Sequence, residues 1–170
     1  MSLGAGYTGY IEYEARQGEQ GLSVREYVLI GKGCMSYSSR YVLTSIDDIK
    51  TVANGVITGV GRHKALSEER RFDIALVINE LLVNSFEHAK PSAKTPVILA
   101  AGMSGNSLCI GVKDGGAGFE YDQALERLAQ PVDENGLYKE RGRGLRLVQA
   151  LCQDMNFGGR GNSVEVRIDL

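Results

Sequence analysis

Four polar residues, Glu80, Asn84, Glu87 and His88, interrupt the otherwise largely apolar stretch between Phe72 and Ala89. Their offsets of four, seven and eight place them on one stripe of a helix. A carboxylate buried without a partner is costly, so Glu80 points to a wet or ligand-filled cleft. A Glu one turn before an Asn offers a proton acceptor and a neutral oxygen ligand for a hard cation such as Mg²⁺. The same residues also suit a polar seam that caps neighbouring backbone. This helix alone leaves both readings open.

Two glycine clusters follow. Asp114-Gly-Gly-Ala-Gly118-Phe119 comes straight after a strand-like run, and Arg141-Gly-Arg-Gly144-Leu145 opens a helix-like one. Glycine at such junctions lets a ligand touch the backbone. Asp114, at a strand end, can accept a proton from an exocyclic amine. Gly142 and Gly144 precede a helix whose free N–H groups and positive dipole end suit phosphate. Neither cluster has the spacing of a P-loop or a dinucleotide fingerprint. Each, taken singly, is equally well a tight turn.

These residues need elements to hold them. Ser67 is a good N-cap with Glu68 and Glu69 in the first turn, where the helix dipole favours acids. Ile74, Ile78, Leu81, Leu82 and Phe86 then recur at helical spacing, and Ala75, Leu76, Val77 and Val83 extend the apolar surface round the helix. An earlier helix starts at Ser45, with Ile49, Val52, Val56 and Val60 on one face and Gly59 and Gly61 closing it; His63 belongs to a solvated connector. Residues 96–101 and Ser107–Lys113 read as strands joined by a loop over 102–106. A short helix over 121–129 and a polar, lid-like stretch over 131–140 come next. The helix after Gly144 is expected to run through Met155. A glycine turn at 158–161 then leads to a last strand in which Val164, Val166 and Ile168 alternate with polar residues. Tyr7–Tyr13, 25–30 and 37–44 read as further strands. The sum is an α+β chain: a two-layer α/β sandwich with helices on one face of a mixed, mostly antiparallel sheet. The expected division is 1–40, an N-terminal extension, and 41–170, the main domain. The extension could pair with the main sheet, swap to a partner chain or be left from an upstream domain.

The chain has 170 residues, 19 basic and 21 acidic, for a net charge of −2. That is enough for one proper core, and without a basic tract no nucleic-acid footprint is indicated. Apolar runs are too short to span a bilayer, and no charged-then-apolar leader opens the chain. Cys34, Cys109 and Cys152 are widely spaced and lack any Cys-x-x-Cys pair, which fits reduced thiols in a cytoplasmic protein.

Order makes the pattern specific. Glu80-x3-Asn84-x3-His88, then Asp114-x-Gly116-x-Gly118-Phe119, then a lid, then Gly142-x-Gly144-Leu145-x-Leu147 resembles the GHKL ATPase superfamily across roughly residues 40–170. Within it, Asn79 to Ala89 is most similar to the first motif of the bacterial anti-sigma-factor serine/threonine kinases, including the His-Ala ending. Gyrase-type members need long transducer domains, and histidine kinases need a phosphoacceptor helix that neither His63 nor His88 supplies. The resemblance implies a Bergerat-type ATP-binding fold using ATP and Mg²⁺. Glu80 would be the general base orienting a hydroxyl or water, and Asn84 would hold the Mg²⁺ that bridges the phosphates. Asp114 would bind the adenine amino group, with Gly116 and Gly118 shaping the base pocket and Gly142 and Gly144 presenting N–H groups to phosphate. Ser163, where the family usually has Thr, would support the adenine site. Arg141 and Arg143 flank the phosphate end, either touching the γ-phosphate or solvated, and His88 is a helix-end packing residue. The implied partners are a sigma factor or an anti-sigma antagonist whose Ser is phosphorylated, and the kinase group is usually homodimeric. The alternative is a nucleotide-sensing module of a larger signalling protein without its own kinase activity. A third reading is a structural domain that binds no nucleotide.

Overall fold

Tyrosines in a strand and glycines in a helix, both spaced by four, join the two layers. The strand is β3, Cys34–Leu43, and the helix is α1, Ile49–Gly61. A Cβ on Gly55 would meet the Tyr41 hydroxyl at 2.6 Å, and one on Gly59 would overlap the Tyr37 ring. Tyr37 and Tyr41 are buried, and the Tyr37 hydroxyl is hydrogen bonded to Ser39 Oγ at 2.5 Å. The missing side chains let α1 lie close on the sheet.

The protein is seen in a computed structural model that describes residues 7–13, 23–31, 34–118, 143–158 and 160–170. The other elements are strands β1 (Tyr7–Tyr13), β2 (Ser23–Gly31), β4 (Val97–Ser104), β5 (Ser107–Lys113), β6 (Asp154–Gly158) and β7 (Ser163–Asp169), with helices α2 (Glu68–Ala89) and α3 (Arg143–Leu151). The expected helix over 121–129, the lid, Phe119, Arg141 and Gly142 lie outside the described residues.

The seven strands form one sheet in the order β1-β2-β3-β4-β5-β7-β6. All six described pairings are antiparallel. Alternate residues of the inner strands, among them Leu43, Leu99, Leu108, Ile110, Val166 and Ile168, are buried on one face. Val52, Val56 and Val60 of α1 and Ile74, Ile78 and Leu81 of α2 complete that core. This is the expected α+β sandwich. Ser45 caps a 3-10 turn, Ile46–Asp48, that leads into α1, and Ser67 caps α2: Ser45 Oγ accepts from Asp47 N at 3.2 Å and Ser67 Oγ from Arg70 N at 3.1 Å.

Of the alternatives left open for the N-terminal strands, the structure shows pairing with the main sheet, and position 40 lies inside β3, which pairs with β4 from Ser38 to Leu43. Two expectations about elements change. The β4–β5 loop shrinks to Gly105 and Asn106, with Gly105 at φ 60°, because 102–104 continue the strand. Gly102 reads as a loop residue in sequence, yet it lies in β4 opposite Ser38 of β3. The helix expected to reach Met155 ends at Leu151. Its last bond runs from Cys152 N to Val148 O at 3.0 Å, and Gln153 N then donates to Arg167 O at 2.8 Å, turning the chain into β6.

Candidate functional site

The buried stripe of α2, formed by Ile74, Val77, Ile78, Leu81, Leu82 and Ser85, faces the core and leaves Glu80 and Asn84 on its flank, both half-buried. Glu87 and His88 are exposed in the last turn. The α3 helix packs on that flank. A Cβ on Gly144 would overlap Glu80 Oε2 and lie 3.2 Å from its Cδ, so the carboxylate sits against the first turn of α3. The free N–H groups of a helix lie in that turn. On the same stripe, Asp73 is tied to Arg70 at 3.2 Å. Glu80 and Asn84 have no ion-pair or side-chain hydrogen-bond partner among the described residues.

From Glu80 to Ala89 the helix rises about 14 Å, at roughly 1.5 Å per residue. At that far end the Asp114 turn packs on α2: a Cβ on Gly116 would lie 3.3 Å from Ala89 Cα and 2.9 Å from Asp114 Oδ1. Asp114 Oδ1 accepts from Gly116 N at 2.8 Å, which fixes the side chain in a tight turn. The half-buried carboxylate keeps its second oxygen without a partner among the described residues. Gly118 has φ 80°, and a Cβ there would overlap the Arg160 carbonyl.

Ser163 stands opposite Lys113 in β5 and Gly158 in β6, whereas Val164 and Val166 alternate with it toward the helices. Its neighbour Asn162 meets Asp114: Asp114 N donates to Asn162 O at 3.0 Å, and Asn162 Nδ2 to Asp114 O at 3.4 Å. Sequence reading passes over Asn162 because a turn asparagine carries no motif; the register of β7 is what brings it to Asp114. Gly142 and Arg141 lie outside the described residues. His63, expected on a solvated connector, is half-buried with its ring 6.3 Å from that of Tyr37.

Thiol chemistry is not favoured here. Burial pushes the Cys152 thiol up to about 11. Burial also raises Cys109, with Glu165 and Asp154 adding to the rise and Arg167 opposing it. Both stay protonated near neutrality. A concavity of about 460 Å³ lined by Thr44, Ile46, Phe86, Glu87 and Lys90, among others, contains none of the expected site residues. No glycine lines it. Among the described residues no helix is long and apolar enough to cross a membrane, and no group of three or more His, Cys, Asp or Glu could hold a metal ion.

A model of the histidine kinase-like ATPase domain matches residues 44–168. The chain belongs to that family. A search of the curated proteins finds no match. The matched span starts just after β3 and includes Glu80, Asn84, Asp114, Gly116, Gly118, Gly142, Gly144 and Ser163. As a histidine kinase-like ATPase domain, the protein is a nucleotide-binding member of the GHKL superfamily. Its own residues fit such a ligand at two places along α2. At the middle, Gly144 lets the first turn of α3 come against the Glu80 carboxylate, and beside the C-terminal end Asp114 keeps one oxygen available among the described residues.

Proposed function

We propose that this histidine kinase-like ATPase domain is an ATP- and Mg²⁺-dependent serine/threonine protein kinase. It acts as a switch on bacterial transcription, exchanging a sigma factor and an antagonist protein as its nucleotide changes. The observation carrying this reading is Glu80, held against the α3 N-terminus with no partner among the described residues. A carboxylate paired with Arg would be a poor base; this one is available to a substrate hydroxyl. As the Ser oxygen of the partner bonds to the γ-phosphorus, the bond to the departing ADP breaks and the hydroxyl proton passes to Glu80. Asn84, one turn along, supplies a neutral oxygen for Mg²⁺. The ion, when bound, neutralises phosphate charge. Gly142 and Gly144 give N–H groups to the phosphates, and Asp114, Gly116, Gly118 and Ser163 form the base end. The active species is a homodimer in the cytoplasm.

The test is incubation with radiolabelled ATP and candidate antagonist proteins. Label on a partner Ser supports the kinase. A second reading, a nucleotide-sensing module of a larger signalling protein, draws on the three strands that precede the matched span. ADP and ATP binding with no label transferred to any antagonist would favour that module and end the kinase assignment.

A further inference from the structure

The geometry points to Asn162 as a positioning residue that sets base selectivity by holding the Asp114 carboxylate in place. This rests on the nucleotide site proposed above, with its base end at Asp114.

Asp114 follows β5 directly, and its loop leaves the sheet before it reaches Gly118. A loop at a strand end needs outside support if one carboxylate is to discriminate between purines, since a small displacement loses the hydrogen bond. On the α2 side Gly116 rests on Ala89, and beyond Gly115 lies Thr95, whose Cβ would be 2.8 Å from a Cβ on that glycine. Among the described residues, further support comes from the turn between β6 and β7. Asn162 holds Asp114 by its carbonyl at 3.0 Å and by its side-chain amide at 3.4 Å, while the Arg160 carbonyl fills the space beside Gly118. The turn therefore meets the loop at both Asp114 and Gly118. The first grip is on the residue whose free oxygen would read the base. The 3.0 Å bond uses the backbone of Asn162 and survives any substitution; the 3.4 Å bond is the part specified by the asparagine side chain. Its loss unties the Asp114 carbonyl from the β6–β7 turn and leaves the Gly116 N–H bond alone to set where the carboxylate sits.

Inosine diphosphate isolates the effect, because it carries an oxygen where ADP carries the exocyclic amine. Calorimetric titration of the whole chain with ADP, inosine diphosphate and inorganic triphosphate would be run on the parent, Asn162→Ala and Asn162→Asp. The aspartate variant keeps the shape and loses the donor, and it carries the test if the alanine variant does not fold. Both should bind ADP about 3- to 10-fold more weakly, the loss expected for one neutral hydrogen bond. Their preference for ADP over inosine diphosphate should shrink, and triphosphate affinity should stay constant. In the double variant Asn162→Ala with Asp114→Asn, ADP affinity should match that of Asp114→Asn alone, because the asparagine acts through the aspartate. An unchanged ADP preference in both Asn162 variants overturns the role, as does additive loss in the double variant or a parallel fall in triphosphate affinity. A parent chain that binds neither ADP nor triphosphate overturns the nucleotide site itself.

Discussion

Gly144 Cα lies against the Glu80 carboxylate, so closely that a methyl group there would overlap Oε2. The two residues are 64 positions apart, and the contact joins the middle of α2 to the first turn of α3. It brings the Glu80 carboxylate to a helix N-terminus suited to phosphate. The obstructed atom is the far end of a flexible side chain, so Gly144→Ala can be accommodated by moving Glu80. The expected result is a small loss of melting temperature with a disproportionate loss of nucleotide affinity and phosphoryl transfer. Thermal melting beside calorimetry checks it; an affinity that falls only in step with stability would mean that Gly144 matters for packing alone.

Removing the charge while keeping the shape separates binding from chemistry. Glu80→Gln should retain ATP affinity within a few-fold, while transfer slows by about 10²- to 10⁴-fold, the range for loss of a general base. Single-turnover transfer to an antagonist protein measures this directly. A variant as fast as the parent would remove Glu80 from the chemistry.

Much of this arrangement was legible in the residues alone. The stripe on α2 is a period, and both serine caps are local side-chain chemistry, so neither needs the rest of the fold. The order of Glu80, Asp114 and Gly144 pointed to one superfamily. Distances were not legible: nothing in the residues says that Gly144 meets Glu80 or that Asn162 meets Asp114, since both follow from packing and register. Met155 was read as helical because it continues an apolar spacing, whereas pairing with β7 makes it part of a strand. Gly102 has the look of a loop residue, yet it pairs with Ser38 inside the sheet. The role of β3 stays hidden in sequence because Tyr37 and Tyr41 declare themselves as core only once Gly59 and Gly55 are seen opposite.

Packing at those glycines is unforgiving. A Cβ on Gly59 would overlap the Tyr37 ring and lie 2.8 Å from its hydroxyl oxygen, and that ring is 4% exposed. Gly59→Ala should therefore destabilise by about 1–3 kcal/mol, the usual cost of overfilling a core. Denaturant unfolding measures the loss, and adding Tyr37→Leu should recover part of it. Two losses that simply add would mean the alanine is harmful for a reason other than the tyrosine ring.

A pH dependence should come from the start of α1. Asp48 is its N-cap but makes no side-chain capping bond, and its Oδ2 is buried without a hydrogen-bond partner among the described residues. Burial first, and the neighbouring Asp47 second, raise its carboxyl above the ordinary 3.8. Below that unfolded value both states bind the proton, so folding incurs no charge penalty at this site. As pH climbs through the raised folded value, the unfolded chain has already released its proton, and the native state loses stability. Asp48→Asn keeps a capping side chain and removes the charge. The variant should melt at nearly the parent's temperature near pH 3 and above it near pH 6–7, with the gap opening as pH rises from about 4. Melting curves across that range decide the matter. A gap that stays constant would show that the Asp48 charge costs the fold nothing, with water or a neighbour compensating it after all.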